Sequence, residues 1–136
     1  TLGDEWRQYE DVFPALARSS IQQVSLECYH SHVPPELMKL LEGKDVMVGV
    51  IDVASDVVET PEQVADTIEH WWNAGAADGF NLMPDRFPDG LEIFVDEVVP
   101  ILRRRGLFRR DYESTTLRER FGVPFPGSGT SVSLAG

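Results

Sequence analysis

Residues 59–122 read ETPEQVADTIEHWWNAGAADGFNLMPDRFPDGLEIFVDEVVPILRRRGLFRRDYESTTLRERFG, and they predict a helix, a tight turn, a buried strand and a second helix. Thr60 is a suitable N-cap for the first helix, and Gln63 stands where a capping box requires a glutamine or glutamate. Gly75 ends this helix, because glycine adopts the left-handed conformation of a C-terminal cap without steric cost. We expect one of two adjacent tryptophans to be buried and the other to lie at an interface. The apolar stripe of the helix consists of Val64, Ile68 and either Trp71 or Trp72.

A strand is predicted over 77–83, because this segment is short, mostly apolar and ended by Pro84. A second helical stripe follows it and ends at Arg103–Arg105, where three positive charges complement the helix dipole. Pro100 lies inside this stripe and is expected to kink or locally break the helix. The stripe consists of Leu91, Phe94, Val95, Val98, Val99 and Leu102.

The first half of the chain predicts two more strands, over 21–28 and 45–53, and two helices, over 4–17 and 35–42. Strands that alternate with helices every ~25–30 residues are typical of βαβ units and a parallel sheet. A complete (β/α)₈ barrel takes about 250 residues, whereas this chain has 136. We therefore predict an α/β fold, namely a partial TIM-barrel-like unit with three parallel strands and flanking helices.

One domain is predicted over residues 1–123, followed by a flexible Gly/Ser-rich tail over 124–136. A partial barrel has open sheet edges, and open edges invite pairing with another chain. We therefore expect the partner to be a second copy, in a homo-oligomer, or a complementary barrel fragment. The alternative is that the fold rearranges into an open three-layer form.

The formal net charge of −11 argues against a nucleic-acid or anionic-membrane surface. No apolar run approaches the roughly 20 residues of a membrane-spanning helix, and the N-terminus does not resemble a signal peptide. Cys28 is a single cysteine, which excludes an internal disulfide and is typical of a reducing compartment. We expect a cytoplasmic protein that binds neither nucleic acid nor membranes.

Residues 103–120 are locally basic, with seven arginines against Asp111, Glu113 and Glu119. This segment is either a docking patch for a partner or phosphate, or a helix end followed by a solvated arm. We favour the second interpretation, because arginines at a helix C-terminus have an electrostatic reason to be there.

The strongest cluster of candidate ligands follows the first strand. Alternation along this strand places Glu27 on the face opposite Cys28, toward a barrel interior or mouth. His30 and His32 come just after the strand and could chelate a metal such as zinc together with Glu27. The alternative is a pair of loop histidines at a surface, with a carboxylate at a strand end.

Residues 5–68, above all IQQVSLECYH and GKDVMVGVIDVASDVVETPEQV, resemble the catalytic barrel of cobalamin-independent methionine synthase. The resemblance implies a zinc ion that activates a homocysteine thiol and is held by an HxC pair, a strand-end Glu and a distant Cys. Glu27 matches the strand-end Glu, whereas the HxC pair and the distant Cys have no counterpart here. Asp52 also matches a strand-end position of that family, and capping the following loop is an equally good role for it.

Residues 59–122, above all TPEQVADTIEHWWNAGAADGFNLMP and LRRRGLFRRDYESTTLRERFG, resemble luciferase-like flavin monooxygenases of the nitrilotriacetate monooxygenase branch. The resemblance implies a late barrel strand, its flanking helices and FMN as the cofactor. Asn81 either lines a flavin-sized mouth or contributes to barrel packing. The upstream strands that hold most of the flavin in that family are missing.

The two resemblances meet at residues 59–68, which indicates a junction between two related barrels. Three functions remain open: a flavin monooxygenase fragment, a methionine-synthase-like methyltransferase fragment, and a non-catalytic chimera. For activity, the missing zinc ligands and flavin strands favour the non-catalytic interpretation, so we expect an incomplete barrel fragment that is not catalytically competent alone. For ancestry, the flavin family is the first choice, because its match extends furthest and includes its characteristic C-terminal arm.

Overall fold

The computed structural model describes residues 7–52, 55–84 and 86–123. The predicted tail over 124–136 and the first residues of the predicted helix over 4–17 lie outside these ranges. The described chain runs in the order α1 (Gln8–Ala17), β1 (Gln23–Glu27), a 3-10 helix (Pro35–Leu41), β2 (Asp45–Gly49), α2 (Pro61–Asn73), β3 (Gly79–Asn81), α3 (Asp89–Ile93), a π-helical turn (Phe94–Val98), α4 (Val99–Arg104) and α5 (Leu117–Arg120). Within these ranges, no helix has the length and apolar character needed to cross a membrane.

The three strands form one parallel sheet in the order β1-β2-β3, which confirms the predicted partial barrel unit. The strands are shorter than the predicted 21–28, 45–53 and 77–83. The apolar pattern predicted strands that are too long, because buried residues continue past the last hydrogen bond between the strands. Cys28 and Val50 follow β1 and β2 directly, and their exposed fractions are only 2% and 1%.

The sheet is apolar and buried on one face only. Val24, Val46 and Val48 point into the core, and Val48 is completely buried. On the opposite face Ser25 and Glu27 are exposed. Both crossovers therefore cover the same face, as in the wall of a barrel, and the other face stays open.

Two apolar clusters make up the core. The first lies between α1, the 3-10 helix and the first two strands, and Phe13 of α1 is buried there to 1% exposure. The second lies between α2, the π-helical turn and α4. Phe80 of β3 packs against both clusters, so the short third strand joins them.

The ends of α2 agree with the sequence-based prediction. Thr60 Oγ1 accepts a hydrogen bond from the Gln63 amide at 3.3 Å, and Gln63 Oε1 accepts one from the Thr60 amide at 2.8 Å. Gly75 has a φ of +63°, the left-handed region in which only glycine is unstrained. Trp71 is buried at 5% exposure and Trp72 is 54% exposed; whether Trp72 lies at an interface stays a prediction.

The second helix does not break at Pro100. A π-helical turn precedes the proline, and the amide of Val99 donates to the carbonyl of Phe94, five residues back. The extra residue in this turn shifts the buried stripe. Val95, predicted to be buried, is 50% exposed, whereas Ile101, absent from the predicted stripe, is 6% exposed. The physical reason is that a regular 3.6-residue period does not hold across a π-helical turn.

Arg105 connects the end of α4 to α2. Its guanidinium donates to Asp66 Oδ1 and to Glu69 Oε2, each at 2.7 Å. Farther along the basic segment, the guanidinium carbons of Arg109 and Arg120 lie 5.0 and 3.7 Å from the ring centroid of Tyr112. Several of the arginines in 103–120 are therefore engaged within the chain, and a docking role for the segment stays a prediction.

Trp71→Ala should lower the free energy of unfolding by about 3–5 kcal/mol, because it removes a large side chain from the core. Trp72→Ala is the matched control and should cost less than about 1 kcal/mol, since that side chain is half exposed. Urea denaturation followed by circular dichroism measures both. Equal losses for the two variants would contradict this placement of the tryptophans.

The Cys28 thiol should be unreactive in the folded protein. Burial, and to a smaller extent the Glu27 carboxylate, raises its pKa from 9.0 to about 12. Because the thiolate is the reactive species, alkylation by iodoacetamide at pH 8 should be at least about a hundredfold slower in native than in urea-unfolded protein. Comparable rates would show that the thiol is accessible.

The same shift predicts how stability depends on pH. The folded state holds the Cys28 proton more tightly than the unfolded state, so its stabilising effect is full below pH 9 and is lost between pH 9 and about 12. Cys28→Ala should remove this component of the decline in stability.

Candidate functional site

The open face of the sheet presents two rows of side chains. Ser25, Met47 and Gly79 are register partners in the first row. Glu27, Gly49 and Asn81 form the second row, at the carboxyl ends of the strands. Barrel enzymes place their chemistry at this end, so the second row and the loops that follow it form the candidate site.

Asn81 contacts a residue two strands away. Its side-chain amide donates a hydrogen bond to the hydroxyl of Ser25, diagonally across β2. The contact passes over the central strand where Gly49 has no side chain, and it requires a sheet that curves toward this face. This is the curvature of a barrel wall seen from inside.

Gly49 is not required by backbone strain or by close packing. An added Cβ would meet Leu26 O at 3.7 Å and Glu27 Cγ at 3.8 Å, which is ordinary van der Waals contact. A larger side chain would instead project into the space above β2 that Asn81 and Ser25 use. Because Gly49 has no side chain, the space above the middle of the open face stays unfilled.

Glu27 is held by its own loop. Its Oε1 accepts hydrogen bonds from the amides of Tyr29 at 3.0 Å and His30 at 3.3 Å. These bonds fix the turn after β1 and use one carboxylate oxygen. Glu27 thus has a clear structural role in the present conformation.

His30 contacts Asp52, and not the His32 side chain with which it was predicted to bind a metal. The distance from His30 Nδ1 to Asp52 Oδ1 is 3.5 Å, and the two side chains are 39% and 20% exposed. The Asp52 amide donates to Glu59 Oε1 at 3.1 Å, which ties the loop after β2 to the start of α2. The structure therefore brings together residues that follow the carboxyl ends of β1 and β2.

His32 has a φ of +51° in the loop after β1. Among the described residues, no group of three or more His, Cys, Asp or Glu side chains is arranged to hold a metal ion. The predicted set of Glu27, His30 and His32 is not gathered as a ligand cluster, and Cys28 points into the core, so zinc binding stays a prediction without geometric support.

Sequence reasoning did not find the partners of these residues. Ser25 was not proposed for the site, and the pairing of His30 with Asp52 was missed. The sequence carries little information on the Ser25–Asn81 and His30–Asp52 pairs, because each pair depends on the register between strands, which the sequence does not specify. The Ser25–Asn81 contact also needs the third strand, which is 56 positions away in the chain.

Comparisons with known proteins place this geometry among barrel enzymes. No family model matches the chain. The N-acetyl-S-(2-succino)cysteine monooxygenase of Bacillus subtilis is 58% identical over 69 residues, which are 51% of this chain and 16% of that protein. Nitrilotriacetate monooxygenase component A of Aminobacter aminovorans is 49% identical over 67 residues, 49% of this chain and 15% of that protein. The chain thus spans about a sixth of the length of these relatives.

Among solved structures, a B12-independent methionine synthase from Shewanella sp. W3-18-1 in complex with selenomethionine is similar, with a TM-score of 0.59 and 43% identity. The similarity covers 79% of this chain and 34% of that one. Coverages of 79% and 51% cannot be disjoint, so part of this chain is similar to both kinds of enzyme. About half of the chain is therefore homologous to luciferase-like monooxygenases, and its three-stranded unit is similar to part of a methionine synthase barrel.

Proposed function

We propose that this chain is one wall of a flavin-dependent monooxygenase barrel of the luciferase-like type. In this proposal it contributes one side of an FMN site and has no monooxygenase turnover by itself. The observation that carries the proposal is the open, polar face of a curved parallel sheet, in a chain of which half is homologous to such monooxygenases. A closed barrel would cover this face with further strands.

The residues present fit part of a flavin. Asn81 and Ser25 offer an amide and a hydroxyl on the open face, which suit the hydrogen-bonding edge of a planar heteroaromatic ring. Gly49 leaves space above the central strand. When bound and reduced, FMN supplies the reaction with oxygen; this chain's residues would orient the ring and exclude water from one side of it.

The same proposal includes a partner. β1 and β3 have no further strand beside them among the described residues, so each presents an unpaired edge. A second copy or a complementary barrel fragment would satisfy these edges and cover the open face. The expected state is therefore an oligomer or a complex, and a flavin stoichiometry of one per chain or one per dimer distinguishes how the site is shared.

An FMN titration monitored by flavin fluorescence tests this proposal. Sedimentation in the same buffer determines the mass of the protein and thus its oligomeric state. We expect saturable quenching at one flavin per chain or per dimer, and weaker binding in Asn81→Ala by about five- to tenfold, the loss of one hydrogen bond. Asn73→Ala is the matched control, because Asn73 is exposed at the end of α2 on the helical side. A folded protein that does not bind FMN would sink the proposal.

A second candidate function is supported by the 43% identity to a methionine synthase over most of the chain. It is a zinc-dependent methyl transfer to a thiol, in which Glu27 would be one zinc ligand and His30 a neighbour. This function requires Glu27 to exchange its hydrogen bonds to the loop amides for a metal, and it requires further ligands from a partner.

Zinc titration monitored by calorimetry separates this candidate from the flavin proposal. If the methyltransferase function is correct, the protein binds one zinc per chain, and Glu27→Gln and His30→Ala each weaken the affinity at least about tenfold. His70→Ala, which removes an exposed histidine from α2, should have no effect. Equal losses in His30→Ala and His70→Ala, with no effect of Glu27→Gln, would indicate only adventitious binding by surface histidines and would contradict this candidate function.

A further inference from the structure

Three loops follow the carboxyl ends of the strands, over residues 28–34, 50–60 and 82–88, and their described residues, 28–34, 50–52, 55–60, 82–84 and 86–88, are here called the mouth loops. In parallel strands that are hydrogen-bonded neighbours, these ends lie along one edge of the sheet. Whatever the site binds must contact the mouth loops, so their chemistry limits the class of substrate.

The mouth loops expose large apolar side chains. In the loop after β2, Val57 and Val58 are 72% and 91% exposed. In the loop after β3, Met83 and Phe87 are 65% and 77% exposed. A valine pair and a methionine–phenylalanine pair on adjacent loops are an unusual concentration of apolar surface for the rim of a sheet.

The charges of the mouth loops are almost all negative. The loop after β2 carries Asp52, Asp56 and Glu59, and no lysine or arginine occurs anywhere between residues 45 and 85. Arg86 is the single lysine or arginine of the three loops in the sequence, and its guanidinium lies 3.5 Å from the Asp89 carboxylate, with 76% of the Arg86 side chain exposed. An anionic substrate would meet repulsion here and would have to compete with Asp89 for this one guanidinium.

From these two observations we infer that the mouth loops bind a neutral, apolar organic substrate and discriminate against polycarboxylates such as nitrilotriacetate. The inference deepens the proposed flavin site and rests on it for the reaction, but the binding itself needs no cofactor. It separates this chain from the relative that is named for nitrilotriacetate. Hydrophobic contact with Val57, Val58, Met83 and Phe87 provides the affinity, and the carboxylates provide the discrimination.

The test uses the neutral fluorescent probe N-phenyl-1-naphthylamine with the full chain. We expect a saturable rise in fluorescence, and a dissociation constant at least about fivefold higher in the double variant Val57→Thr/Val58→Thr, because two methyl groups that the bound probe would cover are replaced by hydroxyls. The matched control is Val12→Thr/Ile21→Thr, which alters two β-branched residues of 48% and 41% exposure away from the mouth loops. This control should change the constant by less than about twofold.

The second part of the test is displacement of the bound probe by competing ligands. Nitrilotriacetate at millimolar concentration should not displace the probe, whereas a neutral polycyclic sulfide such as dibenzothiophene should. Displacement by nitrilotriacetate, equal loss of binding in both double variants, or no saturable binding of the probe would each overturn the inference. FMN binding is measured separately, so a protein that binds the probe but not FMN would refute the proposed function and leave the apolar site standing.

Discussion

The fold depends on a three-stranded parallel sheet that is covered on one face only. Parallel strands need long crossovers, and here both crossovers lie on the face that carries Val24, Val46 and Val48. The two apolar clusters form on this face, because every helix that contacts the sheet packs against it there. The opposite face is left with Ser25 and Glu27, which a barrel would enclose and this chain leaves open.

The sequence was a good guide wherever a feature is local. The capping box at Thr60, the left-handed Gly75 and the apolar run of β2 each depend on a few consecutive residues, and all three appear in the structure. The architecture followed because alternating strands and helices leave few arrangements other than a parallel sheet. The strand ends were overestimated, because burial at Cys28 and Val50 outlasts the hydrogen-bonded ladder.

The candidate site was harder to predict because its contacts are long-range. Glu27 and His30 were named from the end of the first strand, and Asp52 and Asn81 with the two family resemblances. Their partners depend on register and on sheet curvature. The crossover of β1 to β2 shows the same limit. A helix was predicted over 35–42, and the structure has a seven-residue 3-10 helix over Pro35–Leu41, with Pro34 as its N-cap.

The π-helical turn ahead of Pro100 fixes how many residues this helix can contain. The turn lets Val99 donate to Phe94, and it sets the rotation at which Val98, Val99, Ile101 and Leu102 reach the core. Removing one residue would restore regular winding, turn the following segment by about 100° and bring the proline ring against a carbonyl four residues earlier. The number of residues between Asp89 and Arg104 is therefore set by the packing of this buried stripe, and a deletion in the turn would remove its contacts with the core.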